Sequence, residues 1–237
     1  LVEGQNLAWL LRQINAIEGK FRIRFVTNYP TDITDEVIDT VIELDKVCEY
    51  FHIPMQSGDD YVLKKMNRRY DYAAYKKICD HLRTRIPDVT ITSDFIAGFP
   101  SETEEEFVDT LNAIEELGLD YYTLGNHDFN FGYEAIVDFA NAMNATLICA
   151  NVLDKGGKLN IKKHVIHTLS DGTKVGITGA VTGYVNVWEH KENLELLLPD
   201  GRYNMLAQLL SDNPHIDIVF ALFNGRTKSS VMYADRN

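Results

Sequence analysis

Residues 118–132 read GLDYYTLGNHDFNFG, and this stretch decides how the chain is organised. Gly118 stands where a helix would end, and the apolar run 121–124 is typical of a short strand. The polar loop 125–128, Gly-Asn-His-Asp, follows at the carboxyl end of that strand, where α/β sheets place ligand-binding groups. The stretch therefore predicts the best candidate site of the chain.

The composition is that of a folded protein. The chain has 237 residues, 45% hydrophobic and 11% aromatic, enough for one large or two small α/β domains. Its formal net charge is −12, so most of the surface repels a polyanion and the sequence disfavours nucleic acid as a partner. No apolar run approaches the length of a membrane span, and the amino terminus lacks a signal-peptide pattern. These features predict a cytoplasmic protein without membrane contact.

Predicted strands and helices alternate through the first half. Thr103, with Glu106 three residues later, forms a capping-box pattern at the start of one of these helices. This alternation predicts α/β architecture with a parallel sheet, whose strand-exit loops lie on one rim. The predicted strands cover residues 21–26, 50–54 and 89–96, and the predicted helices cover residues 2–17, 34–44, 72–85 and 103–117.

Four segments of the first half carry a resemblance to a known family. They are IRFVTNYP at 23–30, HIPMQSG at 52–58, LKKMNRRY at 63–70 and SDFIAGFPSET at 93–103. In this order they resemble the radical S-adenosylmethionine methylthiotransferases, which modify tRNA or a ribosomal protein. The resemblance implies a partial (β/α) barrel over residues 1–121. It also implies an S-adenosylmethionine site at Gln56, Ser57, Arg68, Ser93 and Asp94.

The cysteines depart from that family's pattern. Its chemistry begins at a four-iron cluster held by a Cys-x-x-x-Cys-x-x-Cys loop, because such a cluster needs thiolate ligands. Cys48, Cys79 and Cys149 share no such spacing, so we expect no iron–sulfur cluster and no radical cleavage, and we expect core thiols instead. Asp94 has two interpretations at this stage, a ligand contact or a cap at the end of a strand.

Segments of the second half carry a second resemblance. They are TLGNHDFNFG at 123–132, CANV at 149–152, KVGITG at 174–179, NVWE at 186–189 and DIVFAL at 217–222. They resemble the calcineurin-like metallophosphoesterases, in the branch of 5′-nucleotidases and cyclic-nucleotide phosphodiesterases. The resemblance implies a partial metallophosphoesterase α/β domain over residues 122–237. There Asn126 would bind one of two divalent metals, and His127, oriented by Asp128, would stabilise or protonate the leaving oxygen.

The metal ligands implied by this resemblance are incomplete. Asn224 stands where the family has its next metal-binding histidine. Hard oxygen and imidazole ligands suit Mn, Mg or Zn, and the sequence predicts that these metals bind weakly at most. His127 is equally compatible with an inert and a chemical role. The other histidines considered, His164, His167, His190 and His215, are expected to be solvated or locally hydrogen-bonded.

The sequence thus predicts an α/β chimera, a partial (β/α) barrel fused to a partial metallophosphoesterase layer. The leading hypothesis is two incomplete enzyme domains without intact catalytic activity. One alternative is a weak metal-dependent phosphoesterase, which we favour over a methylthiotransferase if the chain is an enzyme. Another is a module that binds S-adenosylmethionine or a nucleotide without chemistry. The expected partners are such small molecules, and open sheet edges favour self-association.

Overall fold

The computed structural model describes residues 5–26, 28–169, 171–199, 211–216, 218–224 and 234–235 of the chain. The chain forms two compact units, Leu1–Leu117 and Gly118–Asn237. The predicted boundary between the two resemblances lies slightly later, after Tyr121. That boundary stays a prediction, because the packing of a chain does not report the ancestry of its parts.

The first unit alternates helices with short strands. Its strands are β1 (Tyr50–His52) and β2 (Thr90–Thr92), and a 3₁₀ turn covers Pro30–Asp32. The helices are α1 (Leu7–Asn15), α2 (Asp35–Glu43), α3 (Asp60–Lys65), α4 (Tyr72–Arg85) and α5 (Glu104–Leu117). The predicted strand at 21–26 is wrong, because this segment makes only an isolated bridge at Ile23. Sequence reasoning also missed α3, whereas α4 has the predicted bounds.

Side-chain caps explain where the helices of this unit begin. The N–H of Ala74 donates to the Asp71 carboxylate at 2.7 Å at the start of α4. Before α5, the Thr103 N–H donates to Glu106 Oε2 at 2.6 Å, and the Glu106 N–H donates to Thr103 Oγ1 at 3.3 Å. Each bond satisfies an N–H that has no partner within its own helix. The predicted capping box is confirmed.

The strands of the first unit pair in parallel and in chain order. Tyr50 is in register with Thr90, so β1 and β2 run in parallel. Parallel bridges also join Ile23 to Val47 and Gln56 to Phe95. The carboxyl ends of these paired segments therefore lie at one edge, as the alternation of helices and strands predicted.

Alternate residues of the segment that contains β1 form the centre of the first unit. Phe51, Ile53 and Met55 are fully buried, as expected for one face of a strand with a two-residue period. Gly58 follows them and lies against the backbone of α5. A Cβ at Gly58 would lie 2.6 Å from the Ala113 Cβ and 2.7 Å from the Asp109 carbonyl oxygen. The loop after β1 therefore requires glycine at this position.

We expect Gly58→Ala to lower the free energy of unfolding by about 1–3 kcal/mol, because the added methyl group overpacks the contact with α5. The measurement is urea denaturation of the full chain followed by circular dichroism. Ala73→Ser, at an exposed position in the first turn of α4, serves as the surface control. An unchanged midpoint for Gly58→Ala would contradict this description of the loop.

The second unit contains more strands. Its helices are α6 (Gly132–Ala142) and α7 (Val185–Trp188), with 3₁₀ turns at Asp128–Phe131 and Lys191–Leu194. Its strands are β3 (Tyr121–Tyr122), β4 (Thr146–Leu147), β5 (Val152–Asp154), β6 (His164–Thr168), β7 (Lys174–Val181), β8 (Leu197–Pro199), β9 (Ile218–Asn224) and β10 (Ala234–Asp235).

Four of these strands form one sheet in the order β10-β9-β7-β6. In this sheet β7 and β9 are parallel, whereas β6 and β10 are antiparallel to their neighbours. A parallel pair, β3 and β4, lies beside it, and β5 pairs with β8 in antiparallel fashion. The Ala150 N–H donates to the Gly179 carbonyl at 2.7 Å. The segment after β4 is thereby joined to β7.

A buried asparagine strengthens that junction. Asn151 Nδ2 donates to the Val181 carbonyl at 2.7 Å, and the Val181 N–H donates back to Asn151 Oδ1 at 3.0 Å. The side chain thus mimics a strand partner and satisfies buried polar groups of the backbone. It holds the exit of β4 against the exit of β7.

The mixed α/β class and the mostly parallel pairing of the small sheets are confirmed, whereas the partial barrel stays a prediction. Within the described parts of the chain, no helix is both long and apolar enough to cross a membrane.

Candidate functional site

The Gly-Asn-His-Asp loop lies where the sequence predicted it, directly after β3. Leu124 anchors its start in the core. The N–H of Gly125 donates to Asp128 Oδ2, and the Asp128 N–H donates to the Gly125 carbonyl at 3.4 Å. The Asp128 carboxylate therefore closes the loop on itself.

This position of Asp128 affects its ionisation. Although the residue as a whole is exposed, desolvation of its carboxyl group raises its pKa. The hydrogen bond from Gly125 and the nearby His127 oppose that rise. The hydrogen bond of the Asp128 carboxylate thus goes to the backbone.

The ring of His127 is held by Asn130. His127 Nδ1 lies 2.9 Å from Asn130 Oδ1, and the Asn130 N–H donates to the His127 carbonyl at 3.0 Å. The resemblance gives the orienting role to Asp128, and in the structure Asn130 supplies the hydrogen bond to the ring. Sequence reasoning missed Asn130, although its position three residues after His127 places both in one turn of 3₁₀ helix.

Asn130 is held in turn by a second segment. Its side-chain Nδ2 donates to Glu189 Oε2. Glu189 Oε1 accepts hydrogen bonds from the His190 N–H at 2.7 Å and from Asn193 Nδ2 at 2.9 Å. Desolvation opposes the charge of Glu189, but the hydrogen bonds from His190, Asn193 and Asn130 outweigh it, and the pKa of Glu189 lies below its ordinary value.

The two predicted metal ligands, Asn126 and Asn224, belong to the loop after β3 and to the end of β9. Asn126 is half-buried in the loop. Asn224 ends β9 in register with Val181, and its side chain lies outside the described part of the structure. In the portion of the chain that the structure describes, no three His, Cys, Asp or Glu residues come together in a way that could hold a metal ion.

Two of the histidines expected to be solvated or locally hydrogen-bonded instead have side-chain partners far away in the sequence. His167 Nδ1 lies 2.8 Å from the Tyr121 hydroxyl, and His164 Nε2 lies 3.0 Å from Asn213 Nδ2.

In the first unit, two predicted site residues belong to the loop after β1. Gln56 adopts a left-handed backbone conformation with φ of 72°, and its N–H donates to the Asp94 carbonyl at 3.0 Å. Ser57 is fully buried. Its hydroxyl lies 3.1 Å from Thr110 Oγ1 and accepts the Asp59 N–H at 3.1 Å. Ser57 therefore links this loop to α5.

Ser93 and Asp94 follow β2 on the adjacent segment. Ser93 Oγ accepts the Met55 N–H at 2.9 Å and the Tyr75 hydroxyl at 3.3 Å. Asp94 Oδ2 lies 3.3 Å from His52 Nε2, with the Asp94 side chain 61% exposed. The structure thus brings Gln56, Ser93 and Asp94 together at the strand exits. It adds His52, to which sequence reasoning gave no role in the site.

Arg68 follows α3, and one nitrogen of its side chain is buried. Its backbone N–H donates to the Leu63 carbonyl at 2.9 Å. Its Nε is buried and has no hydrogen-bond partner among the described residues. A buried unsatisfied donor costs free energy, so a ligand oxygen at this nitrogen would be favourable.

The cysteines behave as core thiols in two positions. Cys79 and Cys149 are buried, and desolvation raises the pKa of each to about 11. Both are therefore protonated thiols at neutral pH. Cys48 is half-buried, and desolvation also raises its pKa.

Comparison with known proteins agrees with a division of the chain. Residues 4–114 match the model of the radical SAM superfamily. The tRNA-2-methylthio-N(6)-dimethylallyladenosine synthase of Clostridium perfringens is 46% identical over 132 residues, which are 54% of this chain and 30% of that protein. The corresponding synthase of Thermoanaerobacter pseudethanolicus is 50% identical over 120 residues, 51% of this chain and 26% of that protein. The chain thus spans less than a third of either relative.

Comparison with solved structures finds proteins of another kind than the sequence relatives. The calcineurin-like phosphoesterase YfkN of Bacillus subtilis aligns with a TM-score of 0.54 and 19% identity over 79% of this chain and 64% of that chain. The sulfate thiohydrolase SoxB of Thermus thermophilus aligns with a TM-score of 0.50 and 13% identity over 72% of this chain and 38% of that chain. At these identities the likeness concerns the fold alone. The chain is therefore a two-part protein whose first half is similar to the radical SAM superfamily and to methylthiotransferases, with calcineurin-like phosphoesterases among the structural neighbours of the chain.

Proposed function

We propose that each half of the chain carries an incomplete enzyme site and that the chain binds small ligands rather than catalysing either family's reaction. The observation that carries this proposal is that polar side chains of both strand-exit regions hold their own loops together. Ser57, Ser93 and Asp128 each accept a hydrogen bond from a backbone N–H. A side-chain oxygen engaged in this way has less capacity to bind a metal or cofactor.

The described residues do not fit the metal groups of the two families. Cys48 and Cys79 lie in the first unit and Cys149 in the second, whereas an iron–sulfur cluster needs several thiolates at one place. A two-metal centre likewise needs a cluster of ligands, and the described residues include no group of three His, Cys, Asp or Glu that could hold a metal ion. We therefore infer neither a radical step nor a metal-activated step for this chain.

The first unit supports binding of S-adenosylmethionine better than the second supports a metal. Arg68 offers a buried guanidinium nitrogen without a partner, which suits the carboxylate of that ligand. Asp94 offers an exposed carboxylate beside Gln56 and Ser93, which suits hydroxyl groups. S-adenosylmethionine supplies a reactive sulfonium when bound, and here these residues would only hold it.

We expect Arg68→Ala to weaken the binding of S-adenosylmethionine by at least about tenfold, because a hydrogen bond to a charged group contributes about 1.5–3 kcal/mol. Arg69→Ala is the matched control, since Arg69 is exposed and its backbone N–H bonds the Tyr29 hydroxyl. Calorimetric titration of the full chain measures both. The site would be rejected if the unsubstituted chain gave no heat of binding with S-adenosylmethionine. It would also be rejected if both variants lost the same affinity for this ligand.

Hydrolysis of phosphate esters is the second candidate function. The observation that favours it is the fixed ring of His127, whose Nδ1 is bonded to Asn130. A histidine held through one nitrogen can use the other in acid–base chemistry. Its position in the Gly-Asn-His-Asp loop at the end of β3 is where such a residue would meet a phosphate ester.

We expect no hydrolysis of p-nitrophenyl phosphate or of its diester above the blank, with or without millimolar manganese, because the described residues do not form a metal centre. The measurement is release of nitrophenolate by the full chain. Manganese-dependent release that is lost in His127→Ala and kept in His215→Ala would overturn the leading proposal in favour of a phosphoesterase.

A further inference from the structure

A path of side-chain hydrogen bonds connects His127 to a carboxylate far away in the sequence. Asn130 Oδ1 contacts the ring of His127 at 2.9 Å, and Asn130 Nδ2 donates to Glu189 Oε2. Glu189 and Asn130 are 59 residues apart. Neither the resemblance to phosphoesterases nor the motif around His127 assigns a role to Glu189.

The environment of Glu189 keeps its carboxyl group ionised. The His190 N–H and Asn193 Nδ2 both donate to Oε1, at 2.7 Å and 2.9 Å. Asn193 Nδ2 also donates a hydrogen bond to the backbone carbonyl oxygen of Asn130 at 3.3 Å. These donors place Glu189 and Asn130 in one network. An ionised carboxylate accepts hydrogen bonds and donates none.

Because Glu189 can only accept, the donor and the acceptor of each hydrogen bond along the path are determined. Since Glu189 only accepts, Asn130 must turn its NH₂ group towards Glu189, which places Oδ1 towards His127. Because Oδ1 is also only an acceptor, Nδ1 of His127 must carry the proton. The carboxylate thereby settles both the orientation of the Asn130 amide and the tautomer of the histidine, neither of which heavy-atom positions reveal by themselves.

We propose that Glu189, acting through Asn130, is a positioning residue that holds His127 in the Nδ1-protonated tautomer and presents Nε2 to a ligand. In the neutral ring Nε2 is then an acceptor, which suits a ligand hydroxyl or a protonated phosphate oxygen. In the charged ring it is a donor, which suits an ester oxygen. The tautomer is a property of the chain without any ligand, whereas a catalytic use of Nε2 rests on the second candidate function.

The test is long-range ¹H–¹⁵N correlation of the full chain with ¹⁵N-labelled histidines, at about pH 8.5, where an ordinary histidine is neutral. His127 is identified by comparison with His127→Ala. In the unsubstituted chain we expect Nδ1 to show the shift of a protonated nitrogen and Nε2 that of an unprotonated one. The opposite pattern would overturn the proposal, and no substrate is needed to see it.

Two variants test the role of Glu189. In Glu189→Ala the Asn130 amide loses its fixed acceptor. In Glu189→Gln it faces an amide that can either donate or accept, with the shape of the side chain retained. We expect the Nδ1-protonated fraction of His127 to fall from nearly all of the population to about half or less in each. If Glu189→Ala does not fold, the tautomer of His127 in Glu189→Gln tests the role of Glu189.

The matched control is Glu192→Gln, which removes an exposed carboxylate from the neighbouring 3₁₀ turn. It should leave the tautomer unchanged, because Glu192 is outside the path from Asn130 to His127. An unchanged tautomer in both Glu189 variants, or an equal change in Glu192→Gln, would overturn the proposal. Neither result would decide whether the chain hydrolyses phosphate esters.

Discussion

The close approach of backbone segments at Gly179 is the constraint on which the second unit depends. A Cβ there would lie 2.5 Å from the Ile148 carbonyl oxygen and 2.6 Å from Thr123 Oγ1. Glycine therefore lets β7 lie against the segments that follow β3 and β4. Thr123 is two residues before Gly125, so the same contact fixes the start of the loop that contains His127. Asn151 reinforces the junction through its hydrogen bonds with Val181.

The fold and the candidate sites compete for the same polar groups. At the exits of parallel strands, several side chains satisfy backbone N–H groups, as Ser93 does for Met55 and Asp128 does for Gly125. Such bonds make the loops rigid but use up acceptors that a metal or cofactor would need. Among the residues predicted to bind S-adenosylmethionine, Arg68 has a buried Nε that lacks a partner among the described residues. This nitrogen is the basis of the proposal that the first unit binds a ligand.

Local features could be predicted from the sequence because neighbouring residues determine them. The bounds of α4 follow from its apolar spacing and the Asp71 cap, and the Thr103–Glu106 box forms as its spacing predicts. The loop after β3 follows from a helix stop and a short apolar run.

The partners of the candidate residues could not be predicted in the same way. The hydrogen bond between Asn130 and Glu189 depends on the fold, because no periodic pattern connects residues so far apart in the chain. The pairing of His52 with Asp94 likewise forms only when β1 lies beside β2. Sequence reasoning thus found the loops and missed the contacts between them.

The most direct test of ligand binding without a metal centre is a thermal melt of the full chain by circular dichroism, alone, with millimolar manganese and with millimolar S-adenosylmethionine. A ligand that binds the native state raises the melting temperature by mass action. Our account predicts a melt that manganese leaves unchanged and S-adenosylmethionine shifts upwards. A shift with manganese, and none with S-adenosylmethionine, would contradict it.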